Sequence, residues 1–594
     1  MDIYNLLRKQ VASLIYEIYK VSIPIDDISI EQTNEDYTGD FTVIVFPLSK
    51  LARRPPIEIA NMLAEKLLDR IPELQSTEVI KGFLNLNMKK DFWLEIFKDM
   101  ILKESFLACD KKNEVIMVEF SSPNTNKPLH LGHIRNILLG NSISQLLSFQ
   151  GYQVIKNNLI NDRGIHICKS MMAWMKYGNN ETPASSGIKG DHLVGKYYVL
   201  FDQKYKEEIA QLINEGMDAE NAANNSDLML ETRQLLQKWE EGDPGVKQVW
   251  QTMNNWAYEG FDVTYKRMGI SFDKIYHESE TYLKGKEIIK EGLEKGVFFT
   301  KDDGSVWVDL TNDGMDEKLL LRPDGTSVYI TQDIGTAEIK YHDFKPDRSL
   351  YVVGDEQEYH FKVLKLILEK LKKPYANGLY HLAYGMVDLP EGKMKSREGK
   401  VVDADDLMEE MKLSVKEYIK ESGKWEETDI NEIESISEAT GLGALKFYIL
   451  RTNAKKRMIF NPKESIDLQG FTGPFVQYTY ARIKSVMRKG MIESAGQIDF
   501  STDIALNRIE QELINKLYHF RVVINQSKNE LDPSLIAIYV YQLAKMFNQF
   551  YHDFSILKEE DKDLKNFRIR LSARVADIIK ISLQLLGIGV NEKM

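Results

Sequence analysis

Cysteine is almost missing from this sequence: 594 residues carry only Cys109 and Cys168, with no Cys-x-x-Cys pair. That excludes a disulfide framework and a cysteine-built zinc site, and it fits a reducing, cytoplasmic compartment. Long apolar runs are missing as well. None approaches the length needed to cross a bilayer, so no membrane association is expected. The N-terminus, Met1-Asp-Ile-Tyr-Asn-Leu-Leu-Arg-Lys-Gln10, mixes charges into its apolar positions and lacks a secretory core. Excess positive charge is also lacking: a net charge of −12 argues against an indiscriminate nucleic-acid coat, while leaving room for local basic patches. Nor does the composition favour long disordered arms, since 43% hydrophobic and 28% charged residues are ordinary for a folded chain.

What is present is length enough for several cores. A prior of about 150 residues per domain suggests three or four. Ile3, Leu6, Leu7, Val11, Leu14, Ile15 and Ile18 follow helical spacing, and a second helix is predicted over Pro56 to Leu68. Between and after them, Phe41 to Pro47 and Lys81 to Met88 read as strands. Together they predict a small α+β domain over residues 1–112. Arg53-Arg54 before two prolines reads as a solvated turn, with a partner motif as the other option.

The next stretch is strand, loop, helix. Val115 to Phe120 is apolar and β-branched, the chain breaks at Ser122-Pro123, and Pro128 suits the first turn of a helix running to Phe149. Further strands are predicted at Tyr152 to Ile160, Ser349 to Val353 and Tyr380 to Val387, with a helix at Ile165 to Met175. Strands alternating with helices imply a doubly wound parallel, Rossmann-type core over residues 113–402, with ligands beyond the carboxyl ends of its strands. A charged helical insertion interrupts it at about 177–300; within it Gly187-Ile-Lys-Gly190 reads as a surface turn and Ser226 to Gly242 as a helix. Residues 403–470 read as a helical connecting region and 471–594 as an all-α bundle, making a multidomain α/β protein.

Two segments carry candidate chemistry. His130 and His133 lie three apart at the start of the predicted helix, where free N–H groups and the positive end of the helix dipole suit a phosphate. Gly132 between them lets a nucleotide approach the backbone. A His-x-Gly-His pattern is expected by chance roughly 0.01 times in such a chain, which weighs against two histidines that merely cap or pack. The other segment is Lys393-Met-Lys-Ser-Arg-Glu-Gly399, a glycine-bracketed loop after a predicted strand. Its cations suit a pyrophosphate leaving group, or it is a basic surface turn.

The block Glu119-Phe-Ser-Ser-Pro-Asn-Thr-Asn-Lys-Pro-Leu-His-Leu-Gly-His133 resembles the HIGH motif of class I aminoacyl-tRNA synthetases, in the version found in arginyl-tRNA synthetases. Lys393 to Arg397 resembles the family's KMSKS loop, with a departure: Ser396 stands where the second lysine usually is. Leu321-Arg-Pro-Asp-Gly-Thr-Ser-Val-Tyr-Ile-Thr-Gln-Asp333 is similar to the family's arginine-pocket segment, and Gly470 to Arg482 and Leu585 to Met594 to its helical anticodon-binding domain. The resemblance covers essentially the whole chain. It implies activation of L-arginine by ATP to arginyl-adenylate, with loss of pyrophosphate, and transfer to tRNA(Arg).

It also implies roles. His130, His133, Lys393, Lys395 and Arg397 would stabilise charge, with Lys127 supplying what the departed loop lysine would give. Gly132, Met394 and Ser396 would join the histidines and Lys395 around ATP. Asp333 would anchor the guanidinium beside Tyr329, four residues earlier and on the same face if the chain is helical there. Glu119, Ser122, Asn124 and Gln357 would complete the arginine contacts. Tyr478, Arg482 and Lys484 could stack bases and hold tRNA phosphates, or pack in the bundle. The N-terminal domain would touch the tRNA elbow. Mg²⁺ is expected with ATP, without a protein-built metal site, and the protein is expected to be a monomer. A class I enzyme for another substrate, which would not need Asp333, and a catalytically silent tRNA-binding relative are the alternatives.

Overall fold

The structure, a computed structural model, describes residues 3–34, 36–102, 109–388, 390, 402–421, 429–491, 500–501 and 504–593. Its centre is one parallel sheet. Strands β1 (Val115–Glu119), β2 (Gln153–Ile160), β3 (Lys274–His277), β4 (Arg348–Gly354) and β5 (Leu379–Tyr384) lie in the order β5–β4–β1–β2–β3. The chain moves outward from β1 to β3 and then returns to the other side for β4, so the topological switch lies between β1 and β4. Crevices for ligands form at that point, outside the carboxyl ends of the two strands. The doubly wound core expected from the sequence is therefore present.

Helix α1 (Leu131–Phe149) follows β1. The sequence suggested one apolar face on the sheet; in the fold Ile134, Ile137, Leu138, Ile143 and Leu147 are buried together with Arg135, Asn136, Asn141, Ser142 and Ser144. The polar face is covered because other elements pack on it and supply partners. Asn136 Nδ2 donates to Val352 O at 2.7 Å, Arg135 donates to the carbonyls of Ala454 and Lys456, and Ser142 Oγ donates to Leu585 O at 2.7 Å. Gly140 lies against Phe120, the residue after β1, where an added Cβ would sit 2.3 Å from Phe120 Cγ.

Helices α2 (Ile165–Tyr177), α3 (Gly190–Asn214), α4 (Asp227–Glu241) and α5 (Pro244–Met268) fill the stretch between β2 and β3. Two differences from the sequence reading appear here. β3 lies within the span read as insertion; at four residues, with only Tyr276 buried, it is too short to show an alternation. The glycine-flanked segment is not simply a surface turn. Gly187 closes a short helix at φ +69°, but Gly190 is buried at the start of α3, where a Cβ would lie 2.0 Å from Trp256 O. After β3 come α6 (Glu278–Glu294), a three-stranded antiparallel sheet spanning 298–321, α7 (Tyr329–Phe344) and α8 (Glu358–Lys370).

The N-terminal part is a four-stranded antiparallel sheet with helices, headed by Ile3–Tyr19, whose Ile3, Leu7, Val11, Leu14 and Ile15 are buried as the spacing predicted, whereas Leu6 is half-buried and Ile18, near the helix end, is exposed. The strand at Phe41 stops at Ile44, however, and Phe46–Ala52 is helical with Pro47 in its first turn, a position where proline's missing N–H costs nothing. The rest is helical: α9 (Ala404–Glu421), α10 (Ile430–Leu450), α11 (Gly473–Lys489), α12 (Arg508–Glu530), α13 (Ser534–Asp553) and α14 (Lys562–Leu585). The last of these packs against both the N-terminal domain, through Arg574 donating to Met100 O at 2.7 Å, and the back of α1. Among the described residues no helix is long and apolar enough to cross a membrane.

Candidate active site

The turn after β1 carries two consecutive non-glycine residues at positive φ, Ser121 at 76° and Ser122 at 44°. Such backbone persists only where surroundings hold it. Here Ser121 N–H donates to Asn136 Oδ1, Ser122 N–H donates to Asn158 Oδ1 at 3.0 Å, and the Ser121 and Tyr265 hydroxyls bond at 2.6 Å. The turn leads through exposed Asn124, whose backbone bridges Asn161, and half-buried Lys127 to the start of α1.

His130 is the N-cap of α1. Gly132 N–H donates to His130 Nδ1 at 3.1 Å, and His130 N–H donates to His133 Nδ1 at 3.1 Å. The pair therefore does cap its helix, and the capping decides its chemistry. Both Nδ1 atoms accept, so a neutral ring keeps its proton on Nε2. Burial, followed by the charge of Lys127, pushes His130 down to about 3; burial, His130 and Lys127 push His133 well below its ordinary value. Two neutral rings 3.9 Å apart thus offer Nε2–H donors in a half-buried, electropositive place. An arriving phosphate is what that field favours.

After β2 and β3 the charge is negative. Glu278, the first residue of α6, has its carboxyl pushed up to about 7, chiefly by burial, with the charges of Asp162 and Asp333 adding to it and Arg163 and Gln332 opposing. Asp333 stands on α7 one turn after Tyr329, as the spacing predicted, and its Oδ2 meets His360 Nε2 at 2.5 Å. Tyr329 is 77% exposed at the head of that helix. Asp162, at the carboxyl end of β2, is buried and held by Ser279 N–H at 2.9 Å and the Tyr258 hydroxyl at 2.8 Å. The nearby Arg163 is committed elsewhere, to Glu240 at 3.1 Å and to the face of Tyr282 at 3.8 Å. The result is a carboxylate cluster, buried at Asp162 and half-buried at Glu278 and Asp333, whose nearby guanidinium is already paired elsewhere, a fitting seat for a second one.

Glu119 is occupied differently. Its Oε2 accepts from Lys340 Nζ and Asn157 Nδ2. Lys340 is wholly buried; burial disfavours its ammonium, but Glu119 and then Tyr351 more than offset this and its pKa lies above the ordinary value. The pair is neutral as a unit, so Glu119 holds geometry at the strand end more than it offers free charge. Gln357 lies exposed on the short turn Asp355–Gln357 after β4. The switch point thus gathers Glu119, Ser122, Asn124, the histidine pair and Gln357 from β1 and β4, with Asp333 and Tyr329 on α7. Lys393, Met394, Lys395, Ser396 and Arg397 lie outside the described residues. Tyr478, Arg482 and Lys484 are half-buried on α11: Arg482 sits 4.9 Å over the Tyr478 ring and also bonds Asn548, and Lys484 pairs with Glu592 at 3.0 Å.

Glu278, Asp162, His360 and Lys340 were not singled out from the sequence. Only Asp162 carried a local signal, the Asn-Asp-Arg-Gly loop after a strand. One further cluster, Asp191, His192 and Asp405, brings its donor atoms within 4.8 Å of one another, as a metal site would. Lys189 Nζ already sits in it, 3.2 Å from Asp191 and 2.5 Å from Asp405, which makes it an ion-pair network.

Comparisons with known proteins give the following. Residues 97–462 match the family of class I (R) tRNA synthetases, catalytic domain, residues 476–594 the DALR anticodon binding domain, and residues 5–88 the arginyl tRNA synthetase N terminal domain. The chain is 52% identical over 598 residues to an arginine–tRNA ligase of Bacteroides thetaiotaomicron and 51% identical over 599 residues to one of Bacteroides fragilis, covering 100% of both chains in each comparison. Its fold matches the solved arginyl-tRNA synthetase of Thermus thermophilus with a TM-score of 0.79 at 22% identity, over 99% of each chain. The Plasmodium falciparum arginyl-tRNA synthetase matches with a TM-score of 0.77 at 19% identity, over 100% of this chain and 99% of that one.

Proposed function

The chain belongs to the arginyl-tRNA synthetase family, and from that premise we propose how its own residues carry the reaction. It is a class I, ATP-dependent arginine–tRNA ligase: arginine and ATP give arginyl-adenylate and pyrophosphate, and the arginyl group passes to tRNA. In the first step the arginine carboxylate attacks the α-phosphate, and negative charge grows on the phosphate oxygens as pyrophosphate leaves. His130 and His133 donate to them through Nε2–H, which costs no proton transfer because both rings are already neutral. Lys127 adds the positive charge that the loop lacks at Ser396, with Lys393, Lys395 and Arg397 completing the cationic surround, and Gly132 and Met394 lining the nucleotide. Mg²⁺ would ride on the ATP phosphates, since Lys189 fills the clustered donor set.

The arginine side chain would enter the carboxylate cluster, with Asp333 and Glu278 on its guanidinium and Tyr329 alongside. Asn124, Ser122 and Gln357 would hold the amino-acid end, and Glu119, already paired with Lys340, would fix the strand end around it. One observation carries this assignment: the start of α1, after β1, presents two neutral imidazole donors, while Asp162 after β2, Glu278 after β3 and Asp333 on α7 form a carboxylate cluster that raises the Glu278 carboxyl. Towards tRNA, Tyr478 and Arg482 supply a ring and a guanidinium, and Lys484 would exchange Glu592 for a phosphate. Residues 1–112 would reach the tRNA elbow and 471–594 the anticodon, flanking the core at 113–402 and the connector at 403–470. We read the protein as a cytoplasmic monomer whose partners are L-arginine, ATP and tRNA(Arg).

The test is amino-acid-dependent exchange of pyrophosphate into ATP across all twenty amino acids, with and without tRNA. Exchange with arginine and no other amino acid, seen only when tRNA is present and abolished in the Asp333→Ala and His133→Ala variants, is the expected result. Exchange that survives Asp333→Ala would overturn the pocket.

A further inference from the structure

The assignment above leaves unused a polar cluster behind His130. The residues around His130 are clamped: Leu131 N–H donates to Val402 O and Ala404 N–H donates to Leu129 O, each at 3.0 Å, so the N-cap of α1 is paired antiparallel with the segment entering α9. That segment is fastened in turn. Asp403 Oδ1 accepts from Asp405 N–H at 2.8 Å and Asp406 N–H at 3.2 Å, capping α9. The Asp405 carboxylate accepts from Lys189 Nζ, from His192 Nε2 at 3.1 Å and from Thr264 Oγ1 at 3.0 Å. Asp403 Oδ2 is 3.4 Å from the same His192 nitrogen.

Each partner belongs to a different element. Lys189 and His192 stand at the start of α3, and Thr264 is on α5, adjacent to Tyr265, whose hydroxyl holds the strained Ser121 turn. The cluster therefore joins, through one carboxylate, the segment paired with the His130 backbone and the helix that holds the Ser121 turn. His192, Asp403, Lys127 and His130 also line one cavity of about 520 Å³, so a shift in the cluster is a shift in the wall of the site.

We propose that Asp405, with His192 and Lys189, is a positioning group for adenylate formation: it sets the Val402–Ala404 segment against which the His130 backbone is paired. The inference rests on the reading of His130 given above. Loss of the group displaces His130 without removing any contact to arginine. Misplacement of a reacting group by an ångström costs about a hundredfold in rate, which sets the scale to expect.

The cluster has a titratable member. The groups facing His192 are Asp405, Asp191, Asp403 and Lys189, with Lys127 and His130 across the cavity. Its hydrogen bond to Asp405 raises its pKa above the ordinary value, burial and Lys189 opposing. A raised histidine contributes fully below its unfolded pKa and loses the contribution as pH rises through the folded value. The clamp should therefore weaken on the alkaline side.

The experiment is the single-turnover rate of adenylate formation on the full chain with tRNA bound, together with KM for arginine, across pH. We expect Asp405→Asn and His192→Asn to slow the rate by about ten- to a hundredfold with KM for arginine within about twofold. His192→Lys, which keeps a cation at every pH used, should retain activity and lose the alkaline decline. Unchanged rates in Asp405→Asn and His192→Asn, or an identical alkaline decline in His192→Lys, would overturn the proposal. Should Asp405→Asn fail to fold, the two His192 variants decide it. His130→Asn separates the levels: an unaltered rate there overturns the reading of the histidine and the clamp with it, whereas a slowed rate there beside intact Asp405→Asn overturns the clamp alone.

Discussion

If Glu278 is a guanidinium ligand, arginine binding must be linked to proton release. In the free protein its carboxyl is pushed up to about 7 by burial and by Asp162 and Asp333, so near neutrality it is about half protonated. A guanidinium seated against it favours the charged form and lowers the pKa, and the proton leaves. The sign follows: affinity for arginine is full above the free-protein pKa and falls as pH drops through it. With a free value of about 7, ionising the carboxyl costs about 1.4 kcal/mol at about pH 6 and almost nothing at about pH 8, a roughly tenfold change in affinity. Calorimetric titration with arginine at about pH 7, in two buffers of different ionisation enthalpy, should show about half a proton released per arginine. Glu278→Gln should remove the release and flatten the pH profile while leaving weaker binding in place. An equal proton release from Glu278→Gln, or none from the unaltered chain, would refute the assignment.

Asp333→Asn removes a charge from the same cluster and leaves His360 without its anionic partner, so kcat/KM for arginine should fall by about a hundredfold or more, roughly 3 kcal/mol, while KM for ATP moves little. Lys127→Ala should slow adenylate formation more than Lys395→Ala; the reverse order, measured by pyrophosphate exchange, would return the missing charge to the loop. Gly140→Ala forces a Cβ to within 2.3 Å of Phe120 Cγ, and overpacking of about 1–3 kcal/mol should exceed the roughly 1 kcal/mol helix gain. The thermal unfolding midpoint should drop, and an unchanged midpoint would mean α1 can move off the strand.

The parts of the site that the sequence displayed are those whose spacing is local. His130 and His133 sit one helical turn apart, and Tyr329 and Asp333 four residues apart on α7, so periodicity alone places each pair on one face. The doubly wound sheet was legible for the same reason: each long strand sits beside its helix. The rest is assembled across the chain. Asp162, Glu278 and Asp333 meet from the end of β2 and the starts of α6 and α7, and Lys340 reaches Glu119 from more than two hundred residues away. No pattern in the sequence ties them together. β3 stayed hidden because four residues cannot display a period, and the polar face of α1 because its cover comes from segments hundreds of residues later.

The deeper reason is that a sequence names a residue type but not its charge state. A histidine at a helix start has no fixed protonation until the fold commits its Nδ1 to a backbone N–H and dries its surroundings; here both happen, and the pair becomes neutral donors. Burial raises Glu278 instead, leaving it about half protonated near neutrality until a cation arrives, while the buried Lys340 stays charged because Glu119 was brought to it. The same desolvation thus yields donors for a phosphate, a seat for a guanidinium and an internal ion pair, according to which partner the topology supplies. On the proposed assignment, specificity for arginine would follow from that arrangement. Lysine brings one compact charge without the planar fork, and would leave part of the carboxylate cluster unpaired, which is the costly condition a discriminating site exploits.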